Sequence, residues 1–81
     1  MSTSLEAAPL PSEASRLRIL VQSALLNHGA MTADECAAHL ALSPLSIRPR
    51  FTELKKLGLV QETGSRRKNI SGKFANVHAL V

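Results

Sequence analysis

Apolar positions along the chain set out three helices and then a change of period. Leu17, Leu20, Val21, Ala24, Leu25 and His28 recur at the spacing of one helix face, and Gly29 follows as a stop. A first helix is therefore expected from about Ser12. Thr32-Ala33-Asp34-Glu35 has the form of a capping box, in which threonine accepts from a first-turn amide and glutamate reaches back. The second helix that it opens turns Ala33, Cys36, Ala37 and Leu40 inward, small residues that let another helix cross closely. Ala41-Leu42-Ser43-Pro44 is a short turn whose serine suits an N-cap and whose proline suits the first helical position. The third helix spans residues 44–57, with Ile47, Phe51, Leu54 and Leu57 as its core stripe and Arg48, Pro49, Thr52 and Lys56 facing the other way. Pro49 removes one intrahelical hydrogen bond, so a kink or loosening of the first turns is expected.

Beyond Gly58 the residues alternate. Leu59–Thr63 and Ala75–Leu80 predict two strands of a hairpin around a loop from Gly64 to Lys73, and the residues around Met31 can add a short third strand. Residues 1–11 carry two prolines and no apolar rhythm, so they read as a flexible tail ahead of one domain over 12–81. The fold class expected is mainly α with a small β-hairpin, in the order of a winged helix-turn-helix: three helices plus a wing. No apolar run approaches the length of a membrane span, so no membrane partner is expected. The N-terminus lacks a secretory pattern and the one cysteine cannot form an internal disulfide, which together point to the cytoplasm.

Charge changes the picture more than composition does. The net charge is +4, but residues 1–42 carry −2 and residues 43–81 carry +6. A basic half is suited to displacing counterions from a polyanion, which makes double-stranded DNA the leading partner. The loop from Gly64 to Lys73 holds Arg66, Arg67, Lys68 and Lys73 with no acid. Folded against the body it would trap like charge, so it is expected to project into solvent or onto phosphate.

Ser43, Ser46, Ile47, Arg48 and Arg50, followed by Phe51, Leu54, Gly58, Leu59 and Val60, resemble the helix-turn-helix core of DeoR-like and MarR-like bacterial and phage transcription regulators. The resemblance covers residues 32–80, and Pro49 departs from it. It implies a recognition helix in the major groove over residues 43–56 and a wing on the flanking backbone over 64–73.

The residue chemistry gives each position a role. Ser43 and Ser46 suit phosphate oxygens at a helix N-terminus. Arg48 is the first choice for reading guanine, whose two acceptors match a guanidinium, and Thr52 suits a thymine methyl. Arg50 sits nearer the buried edge, where bracing a phosphate and pairing with Glu53 are equally open. Lys55, Lys56, Arg66, Arg67, Lys68 and Lys73 would neutralise phosphates.

Other constellations carry less. Cys36 and His39 form a C-x-x-H pair with no second closely spaced pair, and Cys36 lies on a core stripe, so no metal is expected. No nucleophile motif or glycine-rich phosphate loop is present, so neither catalytic residues nor a cofactor is expected. Ile19 and Leu26 lie opposite the main apolar face of the first helix, which fits a homodimer seam or cover by Leu5 and Leu10 of the tail. A winged-helix adaptor that binds another protein is the competing class. RNA ranks last, because the chain has two phenylalanines and no tyrosine or tryptophan for bases to stack upon.

Overall fold

Thr32 closes the capping box foreseen for it. Its hydroxyl accepts from the Glu35 amide at 3.1 Å and the Glu35 carboxylate accepts from the Thr32 amide at 3.0 Å. This box opens the second of three helices in a computed structural model that describes residues 12–81. The tail over 1–11, with Leu5 and Leu10, lies outside the described residues. The elements are α1 (Glu13–His28), α2 (Ala33–Leu40), α3 (Pro44–Lys56), β1 (Val60–Lys68) and β2 (Phe74–Leu80).

Each helix carries its own start and stop. The Ser12 hydroxyl accepts from the Ser15 amide at the start of α1, and the Ser43 hydroxyl accepts from the Leu45 amide beside Pro44 at the start of α3. At the end of α3 the Leu59 amide donates to the Leu54 carbonyl and the Gly58 amide to the Lys55 carbonyl, with Gly58 at φ +76. That is a Schellman motif, and its left-handed position needs glycine. α2 ends the same way through Leu42 to Ala37 and Ala41 to Ala38, but there the left-handed residue is Ala41, at φ +56.

The core is built from Leu17, Val21, Ala24 and Leu25 of α1, Cys36 and Ala37 of α2, Ile47, Phe51 and Leu54 of α3, and Met31 and Val60 beside them. Small residues on α2 let the other helices approach, as the pattern implied. Leu20 and Leu57 depart from it, at 39% and 63% exposed. α3 stops at Lys56, so Leu57 belongs to the cap and leaves the helical stripe. Pro49 does not interrupt α3. It sits on the exposed face, where the Leu45 carbonyl is the acceptor that loses a donor.

β1 and β2 pair antiparallel, and Met31 bridges β2 through reciprocal bonds with His78 of 3.0 and 2.9 Å. The predicted ten-residue loop is corrected. The ladder continues through Arg66↔Asn76, Arg67↔Ala75 and Lys68↔Phe74, leaving only residues 69–73 as the turn. Gly64, read as a loop start, instead sits at φ +90 in a bulge where Thr63, Gly64 and Ser65 face Val77. The Thr63 hydroxyl donates to the Val77 carbonyl and accepts from the Ser65 amide, which fixes the bulge. The chain reverses at Gly72, whose amide donates to Asn69 while the Asn69 amide donates to Lys73.

Ala41 holds a conformation that costs an L-residue about 1–2 kcal/mol, and glycine's greater unfolded-state freedom takes back about 0.5–1 kcal/mol. Ala41→Gly is therefore expected to stabilise the fold by about 0.5–1 kcal/mol, read as a raised urea midpoint at unchanged slope. A lowered midpoint would contradict this account of the turn.

Candidate nucleic-acid interface

The cations singled out from the sequence fall into two sets, those held by carboxylates and those left free. Arg48 makes a bidentate pair with Asp34 of α2, Nε to Oδ1 and an Nη to Oδ2, both at 2.8 Å. The Arg48 guanidinium accordingly holds the Asp34 carboxyl below its ordinary value of 3.8. Arg67 on β1 reaches the neighbouring Glu35 at 2.6 Å. Lys55 in the last turn of α3 binds Glu62 of β1 at 2.8 Å, and Asn76 of β2 donates to the same carboxylate oxygen at 3.0 Å.

Arg50 turns inward, and of the two uses open to it the structure holds the pair with Glu53, at 2.8 Å. Glu53 also receives Arg18 of α1 at 2.8 Å, so one carboxylate joins two helices through two guanidiniums. Arg18 first, and Arg50 with it, pull the Glu53 carboxyl below its usual range.

Lys56, Arg66, Lys68 and Lys73 have no ion-pair partner among the described residues. The basic segment is solvent-exposed along its length, as expected, with one departure at Arg67. Arg66, Arg67 and Lys68 lie in β1, and Arg67 folds against α2 because Glu35 supplies the opposite charge that the loop sequence lacked. Along α3, Leu45, Arg48, Pro49, Thr52, Glu53 and Lys56 line one shallow depression. Ser43 and Ser46 are exposed at its N-terminal end.

α3 and the wing are thus joined twice, by Lys55–Glu62 at the C-terminal end and through the Asp34–Glu35 pair at the N-terminal end. The outer face of α3 is exposed at Arg48, Pro49, Thr52 and Lys56, and Lys55–Glu62 ties its last turn to β1. Sequence reasoning missed the acids of this site, Asp34, Glu35 and Glu62. Their only sequence signal was position: two in a helix's first turn and one in a strand beside a basic run.

Cys36 is buried, and burial pushes its thiol up to about 11. His39 instead stacks on His28, rings 4.2 Å apart at 11°, and no group of three or more metal-binding side chains occurs among the described residues. No helix among them is long and apolar enough to cross a membrane.

No protein-family model matches the sequence, and neither does any curated protein. Solved structures do match. The Zalpha domain of Carassius auratus PKZ, solved in complex with Z-DNA, aligns with a TM-score of 0.68 at 14% identity, covering 86% of this chain and all of that one. A possible transcriptional regulator from Methanosarcina mazei Go1 aligns at 0.61 and 13% identity over 99% of this chain, which spans 61% of that protein. The fold is a winged helix-turn-helix. In that arrangement α2, the Ala41–Ser43 turn and α3 are the helix-turn-helix, and β1–β2 is the wing.

The ion pairs make a pH prediction. Asp34, Glu53 and Glu62 are held below their ordinary values of 3.8, 4.5 and 4.5, so their stabilisation is present above those values and lost as pH falls through the lower folded ones. His78 is lowered from 6.5, chiefly by burial, so the unfolded chain takes up its proton first and stability begins to fall below about pH 6.5. Urea midpoints are expected to decline in two steps, one below pH 6.5 that His78→Leu removes and one below 4.5 that it leaves. A single acid-side decline unaffected by that change would refute the assignment.

Proposed function

We propose that this chain is a sequence-specific double-stranded DNA-binding protein, a small transcriptional regulator with α3 in the major groove and the wing on the flanking backbone. One observation carries the reading. Lys56, Arg66, Lys68 and Lys73 have no acid partner among the described residues, and they lie on α3 and the wing, two elements that Lys55–Glu62 ties together. Free cations on adjoining elements can neutralise successive phosphates without first breaking an internal ion pair.

Arg48 requires an exchange. Asp34 holds it bidentately, and guanine offers the same two-acceptor geometry through O6 and N7, so docking swaps one bidentate partner for another. The guanidinium arrives already oriented, and the carboxylate lowers the net gain. Thr52 then meets a thymine methyl, while Ser43 and Ser46 meet phosphates at the helix start. The resemblance of residues 32–80 to DeoR-like and MarR-like regulators supports this placement. A second copy docked across Ile19 and Leu26, which are 59% and 74% exposed on α1, would present two recognition helices to half-sites about one helical turn apart.

A protein-binding adaptor is the second reading, favoured by one feature. Ala37, Ala38, Leu42, Pro44 and the exposed Ile70 line a largely apolar groove of about 380 Å³ that also includes Asp34 and Ser71. Because the Carassius auratus domain was solved with Z-DNA, a duplex switchable between right- and left-handed forms belongs in the same titration.

Engagement of about four phosphates gives a log–log slope of affinity against salt near −3.6. Changing Arg66, Arg67 and Lys68 together to alanine should weaken binding uniformly across sequences and reduce that slope by about 2, since Arg67 is already paired. Arg48→Ala should cost about 1–3 kcal/mol at the preferred site and relax preference at one base pair. Fluorescence anisotropy on oligonucleotides selected from a random duplex library checks both. A slope near zero with intact folding would remove the DNA reading and leave the adaptor.

Asp34→Asn removes the competing carboxylate while keeping the side chain's size. Duplex affinity is expected to rise severalfold at low salt, and the gain should vanish in the Arg48→Ala background. An equal gain in that background would show that Asp34 acts only as a general negative charge.

A further inference from the structure

The chain has two phenylalanines with opposite fates. Phe51 is buried in the core, whereas Phe74, the first residue of β2, is 60% exposed. The ladder sets Lys68 directly opposite Phe74, and the Arg66 guanidinium lies over one face of its ring, 5.7 Å from the centre, which leaves a base the other face. Arg66 is in turn paired with Asn76, so alternation places Arg66, Lys68, Phe74 and Asn76 on one face of the wing. Arg67 and Ala75 take the other face, where Arg67 is spent on Glu35. The nearest acid on the first face, Glu62, is engaged by Lys55 and Asn76.

A flat aromatic ring flanked by two cations that have no acid partner among the described residues is suited to a nucleobase that arrives with its own phosphates: the base stacks on the ring and the cations meet the backbone. A base inside an intact duplex has both faces covered by its neighbours. Only an unpaired base can reach the ring.

We propose that Phe74, with Arg66 and Lys68, is a stacking site for an unpaired base of a DNA strand, so that the chain favours DNA with a bulged or otherwise opened position beside the wing. The proposal rests on the DNA reading for the strand that carries the base, and it adds a feature that the duplex itself does not supply. A missing tyrosine or tryptophan does not argue against stacking when a phenylalanine stands exposed on the basic element.

The test uses the full chain and two fluorescein-labelled duplexes closed by hairpins at both ends, one fully paired and one with a central two-thymine bulge. The unaltered protein is expected to bind the bulged duplex about tenfold more tightly, in line with the worth of a stacked base. Phe74→Ala should abolish that difference while leaving affinity for the paired duplex unchanged. Phe74→Trp should preserve it, and because the sequence has no other tryptophan, its emission should be quenched by the bulged duplex alone. Equal affinity of the unaltered protein for both duplexes, or a bulge preference that survives Phe74→Ala, overturns the proposal and leaves the duplex reading standing. Binding of the bulged duplex alone removes the duplex reading and keeps this one, and binding of neither removes both.

Discussion

The five residues from Met31 to Glu35 hold the wing to the helices. Met31 exchanges two backbone hydrogen bonds with His78 of β2, and the buried Thr32 caps α2. Asp34 binds Arg48 of α3. Glu35 accepts from both the Thr32 amide and Arg67 of β1 through a single oxygen. Every element beyond α1 is therefore fixed relative to the first turn of α2. Carboxylates at a helix N-terminus interact favourably with its free amides whatever else they bind. The same two side chains thus serve the helix locally and the tertiary fold at long range.

The cost of that arrangement falls on the surface charge. Two of the guanidiniums best placed for a polyanion spend their charge internally, and a third, Arg50, is drawn inward by Glu53. What remains is smaller than the sequence's +6 half implies, and it is concentrated on the last turn of α3 and one face of the wing. Exposed pairs of this kind contribute little stability, because solvent screens the two charges. A guanine can therefore compete with the carboxylate for Arg48 at modest cost, whereas the Arg18–Glu53–Arg50 group, joining two helices and half-buried, is the set least available to a ligand.

Locally encoded features were legible. The caps at Thr32 and Ser43, the start of the first helix near Ser12, the stop at Gly58 and the stripe Ile47-Phe51-Leu54 each depend on residues within a turn or two of one another, and each stands where the pattern put it. Met31's bridge was also legible, because the element order leaves few places for a third strand. The misplaced features were non-local. The length of the wing depends on cross-strand pairing of Arg66 to Lys68 with Phe74 to Asn76, and charged residues have no strand signal of their own. The carboxylate partners of Arg48, Arg67 and Lys55 are separated from them by 14, 32 and 7 residues, and nothing in either segment names the other.

The bulge decides which of these charges is free. Between Glu62↔His78 and Arg66↔Asn76, β1 advances four residues while β2 advances two. Because the excess is even, Arg66 and Lys68 stay on the face of Glu62, and Arg67 falls on the opposite face, within reach of Glu35. A bulge with one extra residue would reverse the parity, place Arg67 on the face of Glu62 and put Arg66 and Lys68 on the other face, where Glu35 could hold only one of them. The same shift would take both cations away from Phe74. Thr63, Gly64 and Ser65 carry no charge themselves, yet their number sorts the wing's cations into those that fasten it to the domain and those left to meet a nucleic acid.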